Sequence, residues 1–254
     1  MDRFDPRNRR SASPADEGPV PVNILAFDAA AAACSAFLLR DGAAAGHEWQ
    51  AMTRGHAEAL VPMIERVMGD LPYASLDAIG VTIGPGAFTG LRIALATARG
   101  LALATRVPVH GVTSFAVAVH QAGQGWHVAA DRLVVALETK RADLYLQAFD
   151  TAGAPLGDPA SVLPDAVAGW LPAGVRRIAV AGDAADRLIA ALPAGTGVHT
   201  VAGAALPDAA SVAALVAARL AASPPPAAGP GTLRPLYLRP PDVTVPKPGP
   251  RRRT

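Results

Sequence analysis

The chain has 254 residues, 51% hydrophobic and 17% charged, with a formal net charge of +2, so it buries a sizeable core and is not a disordered polyelectrolyte. Its basic residues are uneven: Arg3, Arg7, Arg9 and Arg10 open the chain and Arg251, Arg252 and Arg253 nearly close it, so the middle does not read as a basic nucleic-acid surface. Cys34 is the only cysteine, which excludes a disulfide framework; with no apolar signal core in residues 1–20 and no apolar run of ~20 residues, the expectation is a cytoplasmic chain that does not touch a membrane.

Residues 1–20 are polar, charged and aperiodic, and read as a disordered extension. The apolar run 22–27, ending at Asp28, suits a buried strand; 34–39 and 45–52 suit two more, with Asp41-Gly42 as a turn, which makes an antiparallel meander. Leu60, Val61, Ile64, Val67 and Met68 give residues 56–68 a helical period, with Pro62 placed near the first turn. Residues 76–83 read as a strand, and Gly84-Pro85-Gly86 opens an apolar helix over about 89–105. These elements make residues 21–108 a first α/β lobe.

A second lobe is expected over 109–222. It holds a helix at 114–120, strands at 133–137 and 144–149, and a turn at Asp150-Thr151-Ala152-Gly153. A strand at 177–183 runs into a helix at 184–192, and Leu215 and Leu220 help fill the apolar face of a last helix at 211–222. Residues 223–254 form a proline-rich linker, the short segment Leu236-Tyr237-Leu238-Arg239-Pro240 and a basic tail.

Gly84–Arg92 is the most informative stretch. Gly84 and Gly86 permit backbone angles that other residues resist, and the N–H groups starting a helix favour an anion. Gly84, Gly86, Thr89 and Arg92 are therefore candidate contacts for an anion or nucleotide. Arg92 opposes the helix dipole in the first turn, which calls for a partner, either a carboxylate or a phosphate. Gly90, Ala94, Ala98 and Ala102 recur every four residues beside Ile93, Thr97, Leu101 and Ala104, while Leu60, Ile64 and Met68 stripe the preceding helix. Such faces either admit a partner's helix or bury against the chain's own sheet.

Other chemistry is thin. Asp28 is followed by Ala29 to Ala33, without the Gly and hydroxyl of a phosphate-binding hairpin, and Ala181-Gly182-Asp183 is at best a remnant of a second phosphate loop. No two histidines among His47, His56, His110, His120, His127 and His199 stand four apart, so no helical metal pair exists. His56 with Glu58 makes a small polar pair, and Cys34 reads as a buried apolar side chain. The arginine-rich termini offer only screened attraction to phosphates.

Four segments resemble one family: Ile24-Leu25-Ala26-Phe27-Asp28 with Cys34-Ser35, His56-Ala57-Glu58-Ala59-Leu60-Val61-Pro62, Ile83 to Arg92, and Pro235-Leu236-Tyr237-Leu238-Arg239. The chain resembles the TsaB (YeaZ) family of threonylcarbamoyladenosine biosynthesis subunits over about residues 22–245, most strongly through 112. The resemblance implies a two-lobe actin-like (ASKHA, ribonuclease H-like) α/β fold with mixed sheets flanked by helices. It implies a non-catalytic subunit that pairs with TsaD, joins TsaE, reaches tRNA through the complex and self-associates through the same surface. It further implies no metal and no cofactor bound by this chain alone, ATP entering only with the complex. Since it implies pairing through first-lobe helices, the expected partner interface is the two helix faces above, at His56, Leu60, Ile64, Met68, Gly90, Ala94, Thr97, Ala98 and Leu101. Two departures stand out: alanines replace the family's hydroxyl after Asp28, and Glu138-Thr139-Lys140-Arg141-Ala142-Asp143-Leu144-Tyr145 follows the family pattern only in part, so it receives no role. The rival readings are an autonomous actin-like ATPase or kinase and a metalloprotease-like hydrolase.

Overall fold

The apolar run after Val22 forms β1 (Ile24–Ala31), a strand buried on both faces because helices cover each side of its sheet. The computed structural model describes residues 22–123, 125–171, 174–222 and 233–239; the expectations for residues 1–20, for the 223–232 linker and for the basic tail lie outside them. β1 pairs antiparallel with β2 (Ala33–Arg40), which pairs antiparallel with β3 (Ala43–Ala51), giving the expected meander. α1 (His56–Met68) follows, with Pro62 inside it. β4 (Ala78–Gly84) lies parallel to β1, and α2 (Phe88–Thr105) leads to β5 (Val109–Thr113), parallel to β4.

The chain then repeats this plan. α3 (Ser114–Ala122) precedes β6 (Arg132–Glu138), which pairs antiparallel with β7 (Leu144–Phe149), itself antiparallel to β8 (Ala160–Val162). After α4 (Val167–Trp170), β9 (Arg177–Ala181) lies parallel to β6. α5 (Ala185–Ala191) then leads to β10 (Gly197–Thr200), parallel to β9, and α6 (Ala209–Ala222) closes the series. The sheet orders are β3-β2-β1-β4-β5 and β8-β7-β6-β9-β10, one topological unit used twice. This is the two-lobe actin-like architecture.

Period-two alternation decides which core each residue joins. Leu25, Phe27 and Ala29 point to the side covered by α1 and α2, whereas Ile24 and Ala26 meet Val212 and Val216 of α6. Two expectations about the lobe boundary change here. β5 belongs to the first sheet, so that lobe runs past residue 108, and α6 packs on the first sheet, not on the second-lobe strands before it. The reason is burial: α6, with Val117 of α3, covers the second face of β1 and β4. Leu215 and Leu220 are only partly buried, and Val212, Ala213 and Val216 form the inner face of α6. The three- and four-residue elements β8, α4 and β10 carry too few residues for a period to show. Among the described residues no helix is long and apolar enough to cross a membrane.

Candidate functional site

A cleft of about 1420 Å³ opens between the lobes. One wall comprises the β1–β2 hairpin and the starts of α1 and α2; the other comprises the β6–β7 hairpin, Asp183 and residues 204–207. The Gly84–Arg92 stretch lies on the first wall, but its glycines serve packing. A Cβ at Gly90 would stand 1.8 Å from the Ala29 carbonyl oxygen, and one at Gly86 would stand 2.2 Å from that of Ala30. The Ala87 N–H donates to the Ala30 carbonyl at 2.6 Å, so turn and hairpin touch directly. The residues do not fit a phosphate cradle between hairpin and turn, because backbone fills that space.

Among the described residues Arg92 pairs with no carboxylate; its guanidinium carbon lies 3.8 Å from the centroid of the Phe88 ring. A cation–π contact at an exposed site is worth about 0.5–1 kcal/mol, which offsets a dipole cost of up to about 1 kcal/mol. Phe88 in turn faces Tyr237 at 5.7 Å between ring centroids. Thr89 is exposed and lines the cleft beside Arg92. His56 is half-buried, and its Nε2–H donates to the Ala31 carbonyl at 3.1 Å, pinning the hairpin tip.

The expected docking ridge is corrected by burial. Leu60, Ile64, Met68, Gly90, Ala94 and Ala98 all sit in the interior, where α1 and α2 cover Leu25, Phe27, Ile79 and Val81. Small residues on α2 let the helix lie close to its own sheet and leave no ridge for a partner. Thr97 and Leu101 are half-buried at the edge of that core, and Thr97 Oγ1 donates to the Ile93 carbonyl at 3.0 Å. The side chains that α1 and α2 do turn outward include Val61, 46% exposed, and Leu103, 78% exposed.

Asp28 lies beneath the cleft wall, fully buried. Its Oδ1 accepts from the Ala30 N–H at 3.0 Å. Burial pushes its carboxyl up to about 6, while Thr82 and the Ala30 amide oppose the shift. Thr82 acts from outside hydrogen-bond geometry, so neither Asp28 Oδ2 nor Thr82 Oγ1 has a bonded partner. Burial, with the Asp28 charge adding to it, pushes the Cys34 thiol up to about 11, so it carries no reactive thiolate at neutral pH.

The opposite wall holds what the sequence left without a role. Arg187 Nη1 donates to Glu138 Oε1 at 2.6 Å, and its Nη2 donates to the carbonyls of Arg141 and Ala142, both at 2.8 Å. The Glu138 N–H donates to Asp183 Oδ1 at 2.8 Å, and burial raises the Asp183 carboxyl above its ordinary range. This lattice braces a hairpin whose Lys140 and Arg141 line the cleft across from Arg92 and Arg54. The only signal in the sequence was Arg187, which with Asp186 breaks an otherwise apolar 184–192 helix. Among the described residues no three His, Cys, Asp or Glu side chains come together as a metal site.

A family model described as TsaD, tRNA N6-adenosine threonylcarbamoyltransferase, matches residues 50–225. The chain is 31% identical over 127 residues to the tRNA threonylcarbamoyladenosine biosynthesis protein TsaB of Escherichia coli K12, covering 49% of this chain and 53% of that protein. It thus spans about half the length of that relative. An uncharacterized protein of Mycobacterium tuberculosis H37Rv is 34% identical over 224 residues, 87% of this chain and 93% of that one. Among solved structures, YeaZ from Pseudomonas aeruginosa superposes with a TM-score of 0.71 at 27% identity, covering 85% of this chain and 100% of that one.

Proposed function

The chain belongs to the TsaB (YeaZ) family, and on that premise we propose that it works in the cytoplasm as a partner subunit of TsaD. In this reading it supports threonylcarbamoyl transfer to the adenosine beside the anticodon of tRNAs that read codons starting with A. TsaE and tRNA join through the complex, and ATP enters with them. The observation that carries the reading is the outward face of α1 and α2. These helices pack together, their inner faces are spent on the core, and they still hold Val61 and Leu103 in water. Large apolar side chains held in water on rigid helices suit a partner surface.

Two further observations favour a subunit without catalytic groups of its own. The hairpin carbonyls that would flank a phosphate are covered by Gly86, Ala87 and Gly90. The thiol of Cys34 is buried and stays protonated. Any anion then meets only the outer cleft, at Thr89 and Arg92 on one side and Lys140 on the other.

The deciding experiment compares Leu103→Glu with Ala98→Glu in co-purification with TsaD and in restoration of the tRNA modification. Leu103→Glu should fold, melt like the parent chain and lose TsaD and the modification, and lose any homodimer in size exclusion. Ala98→Glu places a carboxylate in the core and should cost the fold itself. Normal co-purification and modification with Leu103→Glu would exclude this face, and ATP turnover by the purified chain alone would favour the kinase rival.

A further inference from the structure

Residues 233–239 have no helix or strand, yet they touch both lobes in sequence. Leu233 is buried in the α1–α2 core, and its carbonyl accepts from Arg99 Nη2 of α2. Three residues on, the Leu236 N–H donates to the Ile83 carbonyl at 2.7 Å, at the end of β4. Tyr237 lies against Phe88 in the first turn of α2. Leu238 then packs on the second-lobe core with Phe115, Leu133 and Val135. Arg239 Nη1 donates to Asp143 Oδ1 at 3.0 Å, in the β6–β7 hairpin. Seven extended residues reach about 20 Å, enough to cross the cleft.

We propose that this segment is a strap that sets the spacing of the two lobes, anchored by Leu236 on β4 and by Arg239 on Asp143. The second anchor is not an ordinary surface pair, because the Asp143 side chain is only 5% exposed. Burial raises its carboxyl, but the Ser161 hydroxyl, its own amide, Arg239 and Thr139 outweigh burial and hold it below its ordinary range. Removing Arg239 leaves a buried carboxylate short of its countercharge, so the hairpin gains by holding the strap. Two-lobed proteins that enclose a ligand close by hinge or shear motion of the lobes. A strap across the cleft restrains that motion and keeps Phe88, and with it Arg92, at a fixed place on the first wall. The cleft then works as a rigid platform whose shape does not depend on a ligand.

The test is an inter-lobe distance distribution measured by pulsed electron spin resonance on the full chain. Spin labels go on Asp70→Cys and Asp158→Cys, both exposed and one in each lobe; Cys34 is buried and takes no label. The parent should give one narrow distribution. Arg239→Ala should broaden it about twofold or more, and Arg239→Lys should recover most of the narrowing, with circular dichroism unchanged throughout. Leu236→Pro removes the N–H given to Ile83 and should broaden the distribution independently. An Arg239→Ala distribution that superposes on the parent overturns the proposal; if that variant does not fold, superposition of Leu236→Pro on the parent does so.

Discussion

Asp28 and Arg92 are both charged residues whose settings differ from what their types suggest. Asp28 has one oxygen bonded to the Ala30 amide and one without a partner, in an interior that disfavours charge. Its ordinary value of 3.8 rises to about 6 in the folded chain, so the folded state binds this proton more tightly than the unfolded state. The stabilising contribution is therefore fully present below about 3.8 and is lost as pH rises through about 6; above that, the buried charge costs on the order of 3 kcal/mol at most. Asp28→Asn should accordingly be more stable than the parent by about 1–2 kcal/mol at pH 8, with the gain shrinking toward zero by pH 5. Urea unfolding at both pH values checks this, and a gain independent of pH would refute the protonation account. Arg92 carries a different lesson. Its need for a partner was legible in its place at a helix start, and the partner was legible too: Phe88 stands four residues earlier, on the same helix face. The glycines beside it suggest an anion cradle, but they serve contact with the β1–β2 hairpin.

At the scale of the element, α2 shows two kinds of glycine. Gly90 touches the Ala29 carbonyl so closely that no Cβ fits, whereas nothing lies within 4 Å of a Cβ at Gly100. Gly90→Ala should destabilise the chain by about 3 kcal/mol or more, at or above the usual range for overpacking. Gly100→Ala, on the exposed side of the helix, should stabilise it by about 0.5–1 kcal/mol. Chemical denaturation of the pair separates packing from propensity; equal effects would mean that the Gly84–Arg92 turn does not depend on contact with β1. The helix itself was legible over nearly its whole length, and α1 was legible to the residue, because their apolar residues follow a helical period. What the small-residue stripe faced was not legible. A four-residue repeat of Gly and Ala permits close approach equally to a sheet or to another helix, and here β1 and β4 take that place.

At the scale of the molecule, the repeated sheet plan extends to its turns. Gly182 after β9 stands against β6 as Gly86 after β4 stands against β1, with a Cβ 2.0 Å from the Ala136 carbonyl oxygen. The Ala184 N–H donates to that carbonyl at 3.1 Å, as Ala87 does to Ala30 in the first lobe. The lobes are nonetheless not independent. α3 gives Val117 to the first lobe's core and Phe115 to the second's, and α6 returns to the first sheet after the second is complete. One calorimetric transition is expected, with calorimetric and van't Hoff enthalpies equal; two resolved transitions would show that α3 and α6 do not couple the lobes.

The sequence by itself determined the long helices, the strands other than β5, β8 and β10, the family and the absence of a phosphate-binding hairpin motif, since each is written in local periodicity or in the residues of one short motif. Tertiary structure alone decided that β5 and α6 belong to the first lobe, that Ala98 is core while Leu103 is surface, that Arg187 braces the 138–143 hairpin, and that residues 233–239 span the cleft. Periodicity records that a face is apolar, but not what will cover it. That depends on which distant segment returns to the face, and the identity of such a segment is fixed only when all apolar faces of the chain are buried together.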